Sequence, residues 1–239
     1  MSAMAMAAQA PRAIAQWCEG EIAGHAVLYD FTGLLYWPEE SLLVVSDLHL
    51  EKGASFASRG SMLPPYDTAA TLAALAARMA CWRPARVISL GDSFHDGKVS
   101  AGMPQPYRDA LAGLMAGRDW VWVAGNHDPA PPAGLGGSHV QEIAIGALVF
   151  RHEPGAGRSR GEIAGHLHPQ ARIVRRGKAV RRPCFASDGD RLIMPAFGSY
   201  TGGLNIRDRA FHGLFDNARL HAHLLGRDRL YTIAGRMLV

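Results

Sequence analysis

The sequence predicts an α/β fold in one domain, and three observations predict it. Short continuous apolar runs, the form of strands buried on both faces, recur through the first two thirds of the chain, and each stops abruptly in a polar turn. Amphipathic segments with apolar residues three and four apart alternate with those runs, which is the pattern of a sheet layered with helices. The last third changes to strand pairs around a hairpin turn, adding a second, more antiparallel sheet.

Taken in order, residues 1–25 are expected to be a mobile start and residues 26–239 the single domain. Residues 26–30 and 34–37 flank Thr32 and Gly33 as a β-hairpin. The run 42–45 is the first buried strand and ends on Ser46-Asp47. Leu72, Leu75, Ala76 and Met79 mark an amphipathic helix over 66–82, with Asp67 or Thr68 near its N-cap and Pro84 as its stop. The strand at 86–90 runs into Gly91-Asp92, and a weaker helical pattern covers 107–115. The strand at 120–123 leads to Gly125-Asn126-His127-Asp128, that at 147–150 to Arg151-His152, and that at 162–164 to Gly165-His166-Leu167-His168. Residues 129–137, rich in Pro and Gly, read as a surface loop. Strands at 182–186 and 191–194 bracket the turn at 187–190, and 229–233 reads as a closing strand.

Composition narrows the classes. A chain of 239 residues, 48% hydrophobic and 19% charged, supports one substantial core and excludes wholesale disorder or a fibrous repeat. Its net charge of +4 favours anionic partners without naming one. Cys18, Cys81 and Cys184 are odd in number and form no CxxC pair, so reduced thiols are expected rather than a disulfide framework. No run approaches the roughly 18 apolar residues that span a bilayer. Residues 1–10 lack the basic start and long apolar stretch of a secretory signal. No membrane partner and a cytoplasmic location are therefore expected, and nothing in the sequence assigns an oligomeric state.

The polar turns carry the chemistry. Asp47-Leu48-His49 sets a carboxylate and an imidazole two residues apart just beyond a strand, so that both can turn toward one ion. Asp92 adds a carboxylate whose two oxygens can bridge two cations, and Asn126 adds a neutral oxygen beside His127, an imidazole free to act on substrate. His152, His166 and His168 complete the set. Each block alone is also what an ordinary turn carries. Five of them at successive strand ends are a site, because ligands in α/β sheets bind beyond the carboxyl ends of strands.

The order DxH, GD, GNHD, H, GHxH between Asp47 and His168 resembles the calcineurin-like metallophosphoesterase superfamily. The resemblance implies a sandwich of two mixed β-sheets flanked by helices, with metals at the carboxyl ends of strands. It implies one metal on Asp47, His49, Asp92 and His168 and another on Asp92, Asn126, His152 and His166, with Asp92 bridging. Mixed carboxylate, amide and imidazole ligands suit two divalent ions, whether manganese, iron or zinc. Two such ions clamp a phosphate and lower the pKa of a bridging water to yield a hydroxide nucleophile, while His127 protonates the leaving oxygen or stabilises its charge. Asp128 orients His127 or caps the following turn, and His95 is a substrate or supporting candidate.

Arg172, Arg175, Arg176, Lys178, Arg181 and Arg182 put six cations into eleven residues without an acid, either a solvated basic hairpin or a track for a nucleic-acid backbone. The strings VSDLHLEK at 45–52, LGDSFHD at 90–96, HEP at 152–154, GHLHP at 165–169 and PAFGSYTGG at 195–203 look like those of the ligase-associated DNA damage response endonucleases. That branch implies a manganese-dependent DNA endonuclease preferring single strands, associated in function with a DNA ligase and a helicase. Arg172, Arg175, Arg176 and Tyr200 are then the candidate substrate contacts, with Phe197 expected in the core. Two alternatives stand beside this one. The same ions serve a small-molecule phosphodiesterase or phosphomonoesterase, and a non-catalytic nucleic-acid scaffold would need only the fold and the basic run.

Overall fold

A sheet with two apolar faces needs two covers, and here two sheets supply one cover for each other. The computed structural model describes residues 16–58, 60, 66–96, 102–129 and 134–239. In chain order these form β1 (Trp17–Ile22), β2 (His25–Asp30), β3 (Leu35–Trp37), β4 (Leu42–Val45), α1 (Lys52–Ser58), α2 (Asp67–Trp82), β5 (Arg86–Leu90), α3 (Gln105–Met115), β6 (Asp119–Val123), β7 (Ser138–Val140), β8 (Glu142–Ile145), β9 (Leu148–Arg151), β10 (Glu162–Ala164), β11 (Gln170–Arg175), β12 (Lys178–Ser187), β13 (Arg191–Ile193), β14 (His221–Leu225) and β15 (Leu230–Ala234).

The first sheet runs in numerical order from β1 to β7. It is antiparallel up to β4 and parallel from β4 to β7. The second has the order β15-β14-β12-β13-β10-β9-β8, with β11 paired to β12 alone. In it β9, β10 and β13 are parallel, and the remaining pairs are antiparallel. The expected pair of mixed sheets is therefore present.

Alternate residues build three cores. Val44, Ile88, Leu90, Val121 and Val123 of the first sheet meet Phe150, Ile163, Phe185 and Leu192 of the second in the sandwich core. The opposite face of the first sheet, with Leu43, Val45 and Val87, packs on Leu72, Leu75 and Met79 of α2 and Leu111 and Met115 of α3. The outer face of the second sheet is covered by Ile206, Phe211, Leu214 and Phe215, from the segment between β13 and β14. The helical cover among the described residues thus lies on the first sheet.

Several expectations need correction. Residues 17–22, assigned to a mobile start, form β1, paired residue for residue with β2. Its inward positions are Cys18, Gly20 and Ile22, too weakly apolar an alternation to announce a strand. Residues 1–15 lie outside the described residues. The start of α2 is where it was expected, with Asp67 first in the helix after the N-cap Tyr66, but no side chain caps it. Asp67 and Thr68 instead accept from the backbone N–H groups of Gly53 and Glu51, at 3.0 and 2.7 Å, and so dock α1. Without that docking the sequence KGASFAS has little helical propensity, which hid α1 from the sequence. β7, β8 and β14 were also missed, and 130–133 of the expected 129–137 loop lie outside the described residues.

One buried ion pair braces the second sheet below the functional turns. Arg191 is fully buried, its Nε 2.8 Å from Glu162 Oε1. Its other nitrogens donate to the carbonyls of Gly155, Gly157 and Leu214, at 2.9, 2.6 and 3.1 Å. Arg191 thus fixes the loop between His152 and His166. Removing one partner of such a pair strands a buried charge. Arg191→Ala should lose about 3–5 kcal/mol of unfolding free energy, read as a lower urea midpoint at unchanged slope. A wild-type midpoint would show that the pair is not structural.

Candidate metal centre

Five strand ends converge. The turns after β4, β5 and β6 come from the first sheet and those after β9 and β10 from the second; the turn after β6 brings Asn126 and His127, and the other four deliver two trios of donors. Asp47, His49 and His168 form one, and Asp92, His152 and His166 the other, with the atoms of each trio within 4.8 Å of one another. In the first, His168 Nε2 lies 3.1 Å from Asp47 Oδ1 and 3.4 Å from His49 Nε2. In the second, His152 Nε2 lies 3.1 Å from His166 Nδ1 and 3.5 Å from Asp92 Oδ1. Two imidazole nitrogens that approach this closely share a cation or a proton. About 3.0–3.4 Å is the edge of a coordination polyhedron with metal–ligand bonds near 2.1 Å.

Asp92 faces both trios. Its Oδ2 is 3.9 Å from His49 Nε2, while its Oδ1 is turned to His152 and accepts from the backbone N–H of His127 at 2.9 Å. Asp47 Oδ2 accepts from the hydroxyl of Ser46 and from the backbone N–H of His166, the latter at 3.1 Å. Asp47 Oδ1 is buried and lacks a well-directed hydrogen bond, as an oxygen reserved for a cation would. Two carboxylates, four imidazoles and no thiolate fit divalent manganese, iron or zinc. His152 is oriented for the task, because its Nδ1 lies 2.8 Å from the carbonyl of Leu90 and leaves Nε2 free.

The backbone is strained where the donors sit. Asp47, His49, Asp92, His166 and His168 all have positive φ, between 44° and 67°. Each such non-glycine residue costs on the order of 1–2 kcal/mol. The reward is direction, since Leu48 packs fully into the core while Asp47 and His49 on either side both face the ions' position. Two glycines make room for the carboxylates. A Cβ on Gly125 would collide with the backbone and carboxylate of Asp92, and one on Gly165 with Ser46 and Asp47.

Charge and burial oppose each other throughout. Burial works against the anionic forms of Asp47 and Asp92, but the imidazoles of His168 and His152 outweigh it and hold both carboxyls below the usual range. Burial, helped by the nearby His168 and Lys52, outweighs the carboxylates of Asp47 and Asp92 and pushes His49 down to about 4. It acts likewise on His152, yet there the carboxylates of Asp92 and Asp47 prevail and push the pKa up to about 9.

His127 and Asn126 are exposed, on the solvent side of the trios. Asn126 lines a cavity of about 340 Å³ together with His152. The His127 ring stacks on His95 at 5.0 Å with the planes 22° apart, and Phe56 of α1 also stacks on His95, at 5.7 Å. Ser46 and Phe56 are supporting residues that the sequence reasoning missed; Phe56 sits in the helix with no periodic signal. Asp128 corrects an expectation. Its Oδ2 accepts from the backbone N–H of Phe94 at 3.0 Å, so it holds the turn after β5 and does not reach the His127 ring. Its burial pushes its pKa up to about 7.

The basic run is a hairpin, β11 and β12, closed by Arg176 and Gly177, both at positive φ. Arg172, Arg175 and Arg176 are exposed, but strand alternation puts Arg172 and Arg175 on opposite faces. They therefore do not form one contact surface, which corrects their grouping. Tyr200 is exposed, and Phe197 packs against the helix-side core.

Comparison with known proteins places this geometry. A family model of the calcineurin-like phosphoesterases matches residues 41–182, more than half of the chain. Among solved structures, nuclease MPE of Pseudomonas putida is 29% identical, with a TM-score of 0.69, covering 91% of this chain and 100% of the nuclease. Yfce, a phosphoesterase from E. coli, is 14% identical with a TM-score of 0.38, over 81% of this chain and 98% of that one, too distant to carry an argument. No curated protein sequence matches the chain.

Two outcomes follow from the geometry. Gly125→Ala should displace Asp92 and weaken manganese binding by about 10–100-fold at an unchanged circular dichroism spectrum; full affinity would contradict the packing described. A metal ligand must be neutral imidazole, whereas His152 holds its proton up to about pH 9. Binding therefore displaces a proton below that pH. Manganese affinity should rise by about tenfold per pH unit from about pH 6.5 toward 8.5, and a flat calorimetric profile would remove His152 from the ligand set.

Proposed function

Because the chain belongs to the calcineurin-like phosphoesterase family and is thus a metal-dependent hydrolase, we propose that it is a DNA phosphodiesterase that cuts within a strand. We infer a preference for single strands and a role in DNA repair in the cytoplasm, linked in function to a DNA ligase and a helicase. The observation that carries the reading is the similarity to a nuclease over that protein's whole length. The strings shared with the ligase-associated DNA damage response endonucleases support the same branch.

In this reading Asp47, His49, Asp92 and His168 hold one ion and Asp92, Asn126, His152 and His166 the other, manganese by preference. The ions would supply Lewis-acid polarisation of the phosphate and an activated water at neutral pH. The chain's own residues do the rest. The two carboxylates set the negative charge that draws cations to the strand ends. His127 donates a proton to the leaving oxygen, a role supported by its exposure beside His49, with ring centroids 5.6 Å apart. His95, stacked on His127, keeps that ring from turning. Asp128 acts at one remove, by fixing the turn that carries Asp92 and His95. Arg172 and Tyr200 are proposed as strand contacts.

Single-stranded circular DNA incubated with the manganese-loaded protein should be cut internally, and circles left intact by folded, metal-loaded protein would sink the nuclease reading. A strong preference for p-nitrophenyl phosphate over bis-p-nitrophenyl phosphate would point to a phosphomonoesterase. His127→Ala should keep both metals and lower diester turnover by about 100–10,000-fold; wild-type turnover would end its role as proton donor.

A further inference from the structure

Away from the metal centre lies the largest of the described cavities, about 720 Å³, between the β11–β12 hairpin and the β14–β15 hairpin. Its walls are apolar, with Ile173, Val180, Leu224 and Tyr231, and its rim carries Arg175, Arg182 and Arg227. Val180 is 44% and Tyr231 52% exposed, unusual for large apolar side chains that no described element covers. Among the described residues, none of the three arginines has an ion-pair or hydrogen-bond partner, while the one acid of the cleft, Asp228, is taken by Arg229 at 3.3 Å.

The hairpin itself adds strain of a telling kind. On the hairpin face that carries Ile173 and Val180, Arg175 stands directly across from Lys178. Like charges directly opposite destabilise a strand pair unless an anion lies over them. The cleft therefore suits a ligand that joins repeated negative charge to flat apolar groups. A duplex hides its bases and offers phosphates only, whereas an unpaired strand offers both.

We propose that this cleft is a second binding site for single-stranded nucleic acid, with phosphates on Arg175, Arg182 and Arg227 and an unpaired base on Tyr231. The inference rests on the nuclease reading above, and it extends that reading. β11 begins two residues after His168, so the cleft sits on the order of 15–20 Å along that strand from the metal centre. A strand held there has its cleavage point several nucleotides away, and very short oligonucleotides cannot reach both places.

The test is fluorescence anisotropy of a fluorescein-labelled 20-nucleotide oligo-dT with the full chain in EDTA, where nothing is cut. Tyr231→Ala should weaken binding by about fivefold or more. Arg182→Glu with Arg227→Glu should weaken it by at least about tenfold and flatten the log–log salt dependence by about 1.4. Arg83→Glu, at the opposite end of the first sheet, should change affinity less than about twofold and controls for half of the double variant's change in net charge. Wild-type affinity in folded Tyr231→Ala and in the double variant would overturn the proposal. So would a cleft that ignores oligo-dT and takes up a labelled acidic peptide of alternating Glu and Leu. Failure of the nuclease reading shows separately, as intact circular DNA in manganese, because the binding measurement needs no cleavage.

Discussion

The structure turns on two buried carboxylates that no lysine or arginine among the described residues neutralises. Asp47 and Asp92 stand at the ends of adjacent parallel strands, and an unpaired buried carboxylate is among the costliest groups a protein can hold. Each accepts a backbone N–H from a turn that carries further donors, Asp47 from His166 and Asp92 from His127. The first of these bonds crosses from one sheet to the other, so the sandwich is closed at its functional edge by the group that needs a cation. Satisfying the carboxylates and gathering the imidazoles are the same event.

The strained backbone follows from that constraint. Five donors in left-handed conformation would not persist on an open loop, since each prefers to relax. They persist because Leu48, Leu50 and Phe94 between and beside them are buried, and because the turns bond to one another. The N–H groups of His49 and Leu50 donate to the carbonyls of Asp92 and Ser93, at 2.9 Å each. A divalent ion then finds its ligands already placed, with little reorganisation left to oppose binding.

Rigid and adaptable parts are separated in space. The donors sit on turns pinned by two packed cores, whereas the basic hairpin stands on β12 beyond the main sheet, with its cations in solvent. The geometry of the donors is thereby fixed by the sandwich, whereas the hairpin is a surface of concentrated positive charge. His127 lies between these regimes, exposed yet held by the stack of His95 and Phe56.

By itself the sequence determined the strands at 42–45, 86–90, 120–123, 147–150 and 162–164, the helix from 67 to 82 and the residue types that can act as donors, because buried runs, helical periodicity and ligand chemistry are local properties. It also carried the order of the blocks, from which the family was legible. Only the tertiary structure decided which donors meet. Asp47 and His168 are 121 residues apart by their numbers, and their approach depends on how two sheets pack, which no local pattern encodes. The same holds for β1 and α1, whose weak patterns become structure through pairing with β2 and docking on α2. It holds also for Asp128, whose partner is a backbone N–H from another turn, and for the basic run, whose cations a hairpin divides between two faces. Residue type sets what a side chain can do, and packing sets which groups lie near enough for it to happen.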